Sequence, residues 1–122
     1  MRKLLLILSL ISAPTMAPAW LAPNGLVVEP RSDGFHIPYR GLSGARDFWC
    51  AAGEYVLREL RLPRDTVIYR TSSPPRRSGQ GISFSLSPEG AKKPGLILLS
   101  RQRGVSASLA REFCNDLPIE LE

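Results

Sequence analysis

Between residues 43 and 60 the apolar positions recur at helical spacing. Ala45, Phe48, Trp49, Ala52, Tyr55, Val56 and Leu60 fall on one face. Asp47, Glu54, Arg58 and Arg61 fall on the other, with Glu54 four residues ahead of Arg58 in the order that favours an ion pair. The pattern predicts a long helix over 43–60, with Ser43 as N-cap and Pro63 beyond its end. Gly53 interrupts it at a cost of about 1 kcal/mol against alanine. Close approach of a second backbone would explain a glycine there.

Elsewhere the period is two. Phe35, Ile37 and Tyr39 alternate with His36, Pro38 and Arg40, which reads as a half-buried strand, placed at a sheet edge because Pro38 has no N–H to donate. Ile82, Phe84 and Leu86 alternate with Ser83, Ser85 and Ser87, one apolar face against one wet face. Residues 66–70 are β-branched and aromatic, residues 26–28 can begin a strand, and the apolar run 96–99 reads as a central one. Residues 106–115 predict a short C-terminal helix with Leu109, Ala110 and Phe113 inward. The expected fold class is α+β: an antiparallel sheet of about four to five strands, one long helix on its apolar face, a short C-terminal helix and one disulfide. Residues 20–25 and 117–122 are expected to be loose.

The first nineteen residues do not belong to this pattern. Arg2 and Lys3 precede an apolar run from Leu4 to Ile11, and Ala17-Pro18-Ala19 supplies small residues around a cleavage bond. Eight helical residues span only about 12 Å, short of a bilayer core. The segment reads as a signal peptide cleaved after Ala19, leaving a single domain over 20–122 in the periplasm or secreted, without a stable membrane anchor. Export changes the reading of charge and sulfur. Once Arg2 and Lys3 are gone, fourteen basic residues face eleven acidic ones, a net +3. The charge is uneven: residues 65–111 carry eight basic and two acidic side chains, and 112–122 carry four acids alone. Cys50 and Cys114, the two cysteines of the chain, have one intramolecular pairing available in an oxidising compartment.

Candidate chemistry is sparse. Trp49-Cys50-Ala51-Ala52 is half of a C-x-x-C motif, lacks its second cysteine, and lies mid-helix where the N-terminal dipole has faded. His36, the single histidine, has no G-x-S-x-G or S-x-x-K partner pattern. Glu54 and Glu59 are five apart and diverge around a helix, and Asp33 and Glu89 sit in turn sequences. Arg76-Arg77-Ser78-Gly79-Gln80-Gly81 joins guanidinium groups to a glycine-rich stretch suited to an anion, without the G-K-[ST] of a P-loop. With Lys92 and Lys93 it forms the candidate anion- or partner-binding set: Arg76, Arg77, Lys92 and Lys93. Tyr39, Tyr69 and Phe84 are assigned to the core by their alternation, not to a base-stacking platform.

The stretch 44–55 (Gly-Ala-Arg-Asp-Phe-Trp-Cys-Ala-Ala-Gly-Glu-Tyr), Ile82-Ser83-Phe84-Ser85-Leu86-Ser87-Pro88 and Cys114 together resemble small exported proteins of Gram-negative bacteria. The resemblance implies export and a paired cysteine, and carries no activity with it. The expected function is a non-catalytic binding module for an envelope protein or anionic component, with no cofactor, no metal and no nucleic-acid partner. The alternative is a small periplasmic hydrolase using His36 or a carboxylate in a cleft.

Overall fold

A computed structural model describes residues 18–41 and 44–115. Six strands form one antiparallel sheet: β1 (Trp20–Leu21), β2 (Val27–Arg31), β3 (Gly34–Ile37), β4 (Val67–Arg70), β5 (Ile82–Ser85) and β6 (Gly104–Ser106), in the order β1-β2-β3-β5-β4-β6. Helix α1 (Ala45–Glu54) continues as a turn of π-helix, Tyr55–Glu59, and α2 (Ala107–Glu112) follows β6 directly. The α+β class, the long helix, the short C-terminal helix and the disulfide are all as expected; the strand count is six.

Apolar alternation drives the packing. Phe35 and Ile37 on β3, Ile82 and Phe84 on β5, and Ile68 on β4 are buried together with Phe48, Trp49, Ala52 and Val56 of the helix. Aromatic rings fill the middle: Phe84 lies 4.9 Å from Trp49 and 5.5 Å from Phe35, and Phe35 lies 4.8 Å from Tyr55. Such pairs add about 0.5–1.5 kcal/mol each beyond the area they bury.

Helix α1 starts at Gly44, whose N–H donates to Asp47 Oδ2 at 2.8 Å; the expected cap Ser43 lies outside the described residues. It ends where Arg61 turns left-handed (φ 53°) and the Leu62 N–H reaches back to the Val56 carbonyl at 3.1 Å, before Pro63 has any effect. Leu60 is exposed there, off the apolar face assigned to it. Helix α2 is capped by Ser106 Oγ, which accepts from Leu109 N–H at 3.3 Å. Ala110 and Phe113 point inward, whereas Leu109 is exposed. Cys50 and Cys114 are bonded across the α1–α2 contact. Gly53 is explained at the same place: a Cβ on it would lie 2.7 Å from Arg111 N and 3.0 Å from Ala107 O, so α2 rests on bare α1 backbone.

Glu54 reverses its assignment to the solvent face. It is 5 % exposed, accepts from Arg111 Nε at 3.2 Å, and is paired with Arg58 as the spacing foretold. The helix faces α2 as well as the sheet, so a position that is polar on a two-sided wheel is buried on a three-sided one.

Four further expectations are corrected. Residues 20–25 are not loose at their start: Trp20 and Leu21 pair with Val28 and Val27, and the Asn24-Gly25 turn closes the hairpin, with Ala22 N donating to Leu26 O at 2.8 Å. Strand β3 is not an edge, because Pro38 follows the strand and its missing N–H costs no ladder bond. Residues 96–99 are no central strand. Pro94 and a left-handed Gly95 (φ 78°) turn the chain, and the Leu99 N–H folds back to Leu96 O at 3.2 Å, giving the 3₁₀ turn Ile97–Leu99. The last strand is instead β6, whose single buried Val105 leaves too short a pattern to read in sequence. Finally, the wet face of β5 is incomplete, with Ser85 buried and Leu86 exposed just past the strand end. The expected looseness of 117–122 and most of the leader, 1–17, lie outside the described residues.

Candidate functional site

Strand β4 ends in an arginine on its inward side. Ile68 and Arg70 share one face by period two, while Val67 and Tyr69 share the other. Arg70 stands opposite Phe84 in the ladder, which itself stands opposite Phe35, so a guanidinium continues a row of aromatic rings on the core face. The residue is 2 % exposed. Its Nε donates to Ser72 O at 2.9 Å and its Nη1 to Pro94 O at 3.3 Å. Among the described residues no carboxylate pairs with it. Burial, and then the positive charge of Arg76, press its pKa below the usual arginine value. An arginine remains charged even so.

Two features hold that guanidinium still. The Pro94 carbonyl also accepts from Trp49 Nε1 at 2.9 Å, so helix, strand and loop meet at one oxygen. Gly95 leaves room beside it: a Cβ there would sit 2.4 Å from Arg70 Nη1. Arg70 opens into a cleft of about 520 Å³, with Arg76 and Lys93 as the other cations and Leu96, Ile97 and the Pro74-Pro75 pair among its apolar walls. Arg76 is fixed by its own contacts. Its guanidinium lies 5.1 Å from the centroids of both Tyr39 and Phe48, and its Nη1 donates to Gln80 O at 2.9 Å. Tyr39, assigned to the core, is instead exposed and carries this cation–π contact.

A second cleft, about 750 Å³, lies across the Pro74-Pro75 wall and contains His36, Ser72, Arg77 and Gln80. Here β3 and β5 set His36 opposite Ser83 on the outward face, with Nδ1 2.7 Å from Ser83 Oγ, and β2 sets Glu29 opposite His36 on the other side. Burial and the charge of Arg31 lower the His36 pKa, against a smaller upward pull from Glu29. The net effect favours the neutral imidazole, and in the tautomer protonated at Nε2 its Nδ1 accepts from the Ser83 hydroxyl. No carboxylate lines either cleft among the described residues. A third cleft holds Glu54 and Glu112 with Arg58, Arg64 and Arg111. Glu54 is ion-paired there and anchors α2.

Of the sequence-predicted set, Arg76 and Lys93 share the first cleft and Arg77 lines the second. Lys92 is exposed beside them, its backbone N–H donating to Arg70 O at 2.7 Å. The four thus surround one loop pair, residues 70–81 and 91–97. Arg70, the most buried cation among the described residues, was missing from the set. The signal for it existed: an arginine two residues after Ile68 in a strand has inward parity. Asp33 and Glu89 stay exposed in turns. Among the described residues no group of three His, Cys, Asp or Glu side chains is placed to hold a metal, and no helix is long and apolar enough to cross a membrane. No protein-family model, no curated protein and no solved structure matches this chain.

Proposed function

We propose that the chain is an exported, non-catalytic module that binds an anionic envelope component, a small molecule or an acidic protein surface, in the Arg70 cleft. The observation that carries this reading is the Arg70 guanidinium, buried without a counter-charge at the floor of a cleft that two more cations line. Removing a charge from water costs several kcal/mol unless an opposite charge meets it. An incoming anion supplies that charge in a site already desolvated, where the attraction is strong. Arg77, in the neighbouring cleft, and the exposed Lys92 add positive charge to the same pair of loops. The leader-like residues 1–19 and the Cys50–Cys114 bond support an oxidising, extracytoplasmic setting.

The test is a pull-down of the tagged protein from periplasmic extract, at low and moderate salt, with two variants. Arg76, Arg77, Lys92 and Lys93 all changed to Glu should lose the partner, and Arg70→Met should lose it with the surface charges intact. Unchanged recovery by both variants would refute the reading.

A hydrolase reading is favoured by one observation, the 2.7 Å contact between His36 Nδ1 and Ser83 Oγ beside the second cleft. It requires Ser83 as nucleophile and His36 as base. Ester turnover that disappears in both Ser83→Ala and His36→Ala would establish it in place of the binding module.

A further inference from the structure

We infer that the ligand of the Arg70 cleft is a monoanion on an apolar body, a carboxylate attached to an aliphatic chain or ring. The inference deepens the binding reading above and rests on it. Charge balance comes first. One guanidinium is buried, and two of its nitrogens are already given to the Ser72 and Pro94 carbonyls. What remains is one full positive charge and the Nη2 end of a planar fork, which suits a carboxylate. A dianion would bring a second negative charge into the desolvated floor. Arg76 is held on two aromatic rings and a carbonyl, and Lys93 is exposed, so their charges draw an anion into the cleft while Arg70 supplies the uncommitted donors at its floor.

The walls supply the second half of the argument. Beyond the cations and Ser100, the cleft is lined by Ala45, the two prolines, Gly95, Leu96 and Ile97. Ile97 is 55 % exposed, although Leu96 beside it is buried. A polar anion such as phosphate alone would leave this wall wet, whereas an alkyl chain anchored at Arg70 lies along it. The volume of about 520 Å³ falls within the range of about 300–1,000 Å³ typical of small-ligand sites. The shared Pro94 carbonyl and the space at Gly95 hold the fork in place before the ligand arrives, which lowers the ordering cost of binding.

The experiment uses the disulfide-bonded protein and four probes: octanoate, acetate, 1-octanol and octyl phosphate. Binding is followed by calorimetry and by the fluorescence of Trp49, whose indole N–H shares the Pro94 oxygen with Arg70. Octanoate should bind, with the other three weaker by at least about tenfold: acetate because each missing methylene removes about 0.8 kcal/mol of burial, octanol because it brings no charge to Arg70, and octyl phosphate because it brings a second charge. Arg70→Met should abolish octanoate binding, and Ile97→Ser should weaken it several-fold. Acetate binding as tightly as octanoate would overturn the apolar body, and tighter octyl phosphate would overturn the single charge; both leave the anion cleft standing. Octanol binding as tightly as octanoate would overturn the cleft reading together with this one, whereas no binding by any probe would overturn the apolar monoanion alone and leave the cleft to the pull-down. Should Arg70→Met fail to fold, the octanoate–octanol contrast and Ile97→Ser, at an exposed position, decide the matter.

Discussion

Replacing Gly53 by alanine sets two opposed effects against each other. Intrinsic helix propensity favours the alanine by about 1 kcal/mol. The tertiary contact opposes it. The new Cβ would lie 2.7 Å from Arg111 N, 3.0 Å from Ala107 O and 3.0 Å from Ala110 Cβ, and the first two are backbone atoms that cannot rotate away. Relief requires α2 to move as a unit, and α2 is held at several points. Cys114 is bonded to Cys50, Arg111 to Glu54 at 3.2 Å, Ser108 N to Arg64 O at 3.0 Å and Ala107 N to Thr66 O at 2.8 Å. Overpacking of this kind costs about 1–3 kcal/mol, and the pinned geometry places the cost toward the upper end. The expected net effect is a destabilisation of about 1–2 kcal/mol, or roughly 4–8 °C in Tm per kcal/mol for a domain of this size. Urea unfolding followed by tryptophan fluorescence measures it. The penalty should shrink in the Cys50→Ser/Cys114→Ser background, where α2 has lost its covalent anchor and can yield. A Gly53→Ala protein as stable as the parent, or more so, would refute the claim that bare backbone contact is why a glycine stands inside this helix.

Removing the disulfide through Cys50→Ser/Cys114→Ser opens a loop spanning 64 residues and should cost about 4 kcal/mol by chain-entropy reasoning; a loss under about 1 kcal/mol in denaturant melts would argue against it. Trp49→Ala removes a fully buried side chain and its bond to Pro94 O, and should lower stability by about 3–5 kcal/mol in the same assay. The lowered pKa of His36 means that the unfolded chain binds the proton more readily than the folded one. Its contribution is therefore fully present above the unfolded value of about 6.5 and is lost as pH falls through the folded value. Urea midpoints at pH 7.5 and below 6 should differ by less in His36→Gln than in the parent, and an identical pH dependence in both would dismiss this assignment.

How much of this was legible in the residues follows the range of the forces involved. The helix face of Phe48, Trp49, Ala52 and Val56, and the strands around Phe35, Ile68 and Phe84, were readable because burial imposes a period that neighbouring residues share. The Cys50–Cys114 pairing was readable by count. Gly53 was readable as an anomaly, although only the approach of α2 explained it. What only the tertiary structure decided involves partners distant along the chain. Trp20 and Leu21 are a strand because Val27 and Val28 are there to pair with them. Residues 96–99 are not one because Pro94 and Gly95 turn them aside to wall a cleft. Glu54 is buried because two arginines, one of them 57 positions away on α2, meet its charge. Arg70 belongs to the same class: its parity was local, but its burial depends on carbonyls at Ser72 and Pro94 and on the missing Cβ of Gly95. A charged side chain can be inside only where specific distant groups receive it, and no local pattern records which groups those are.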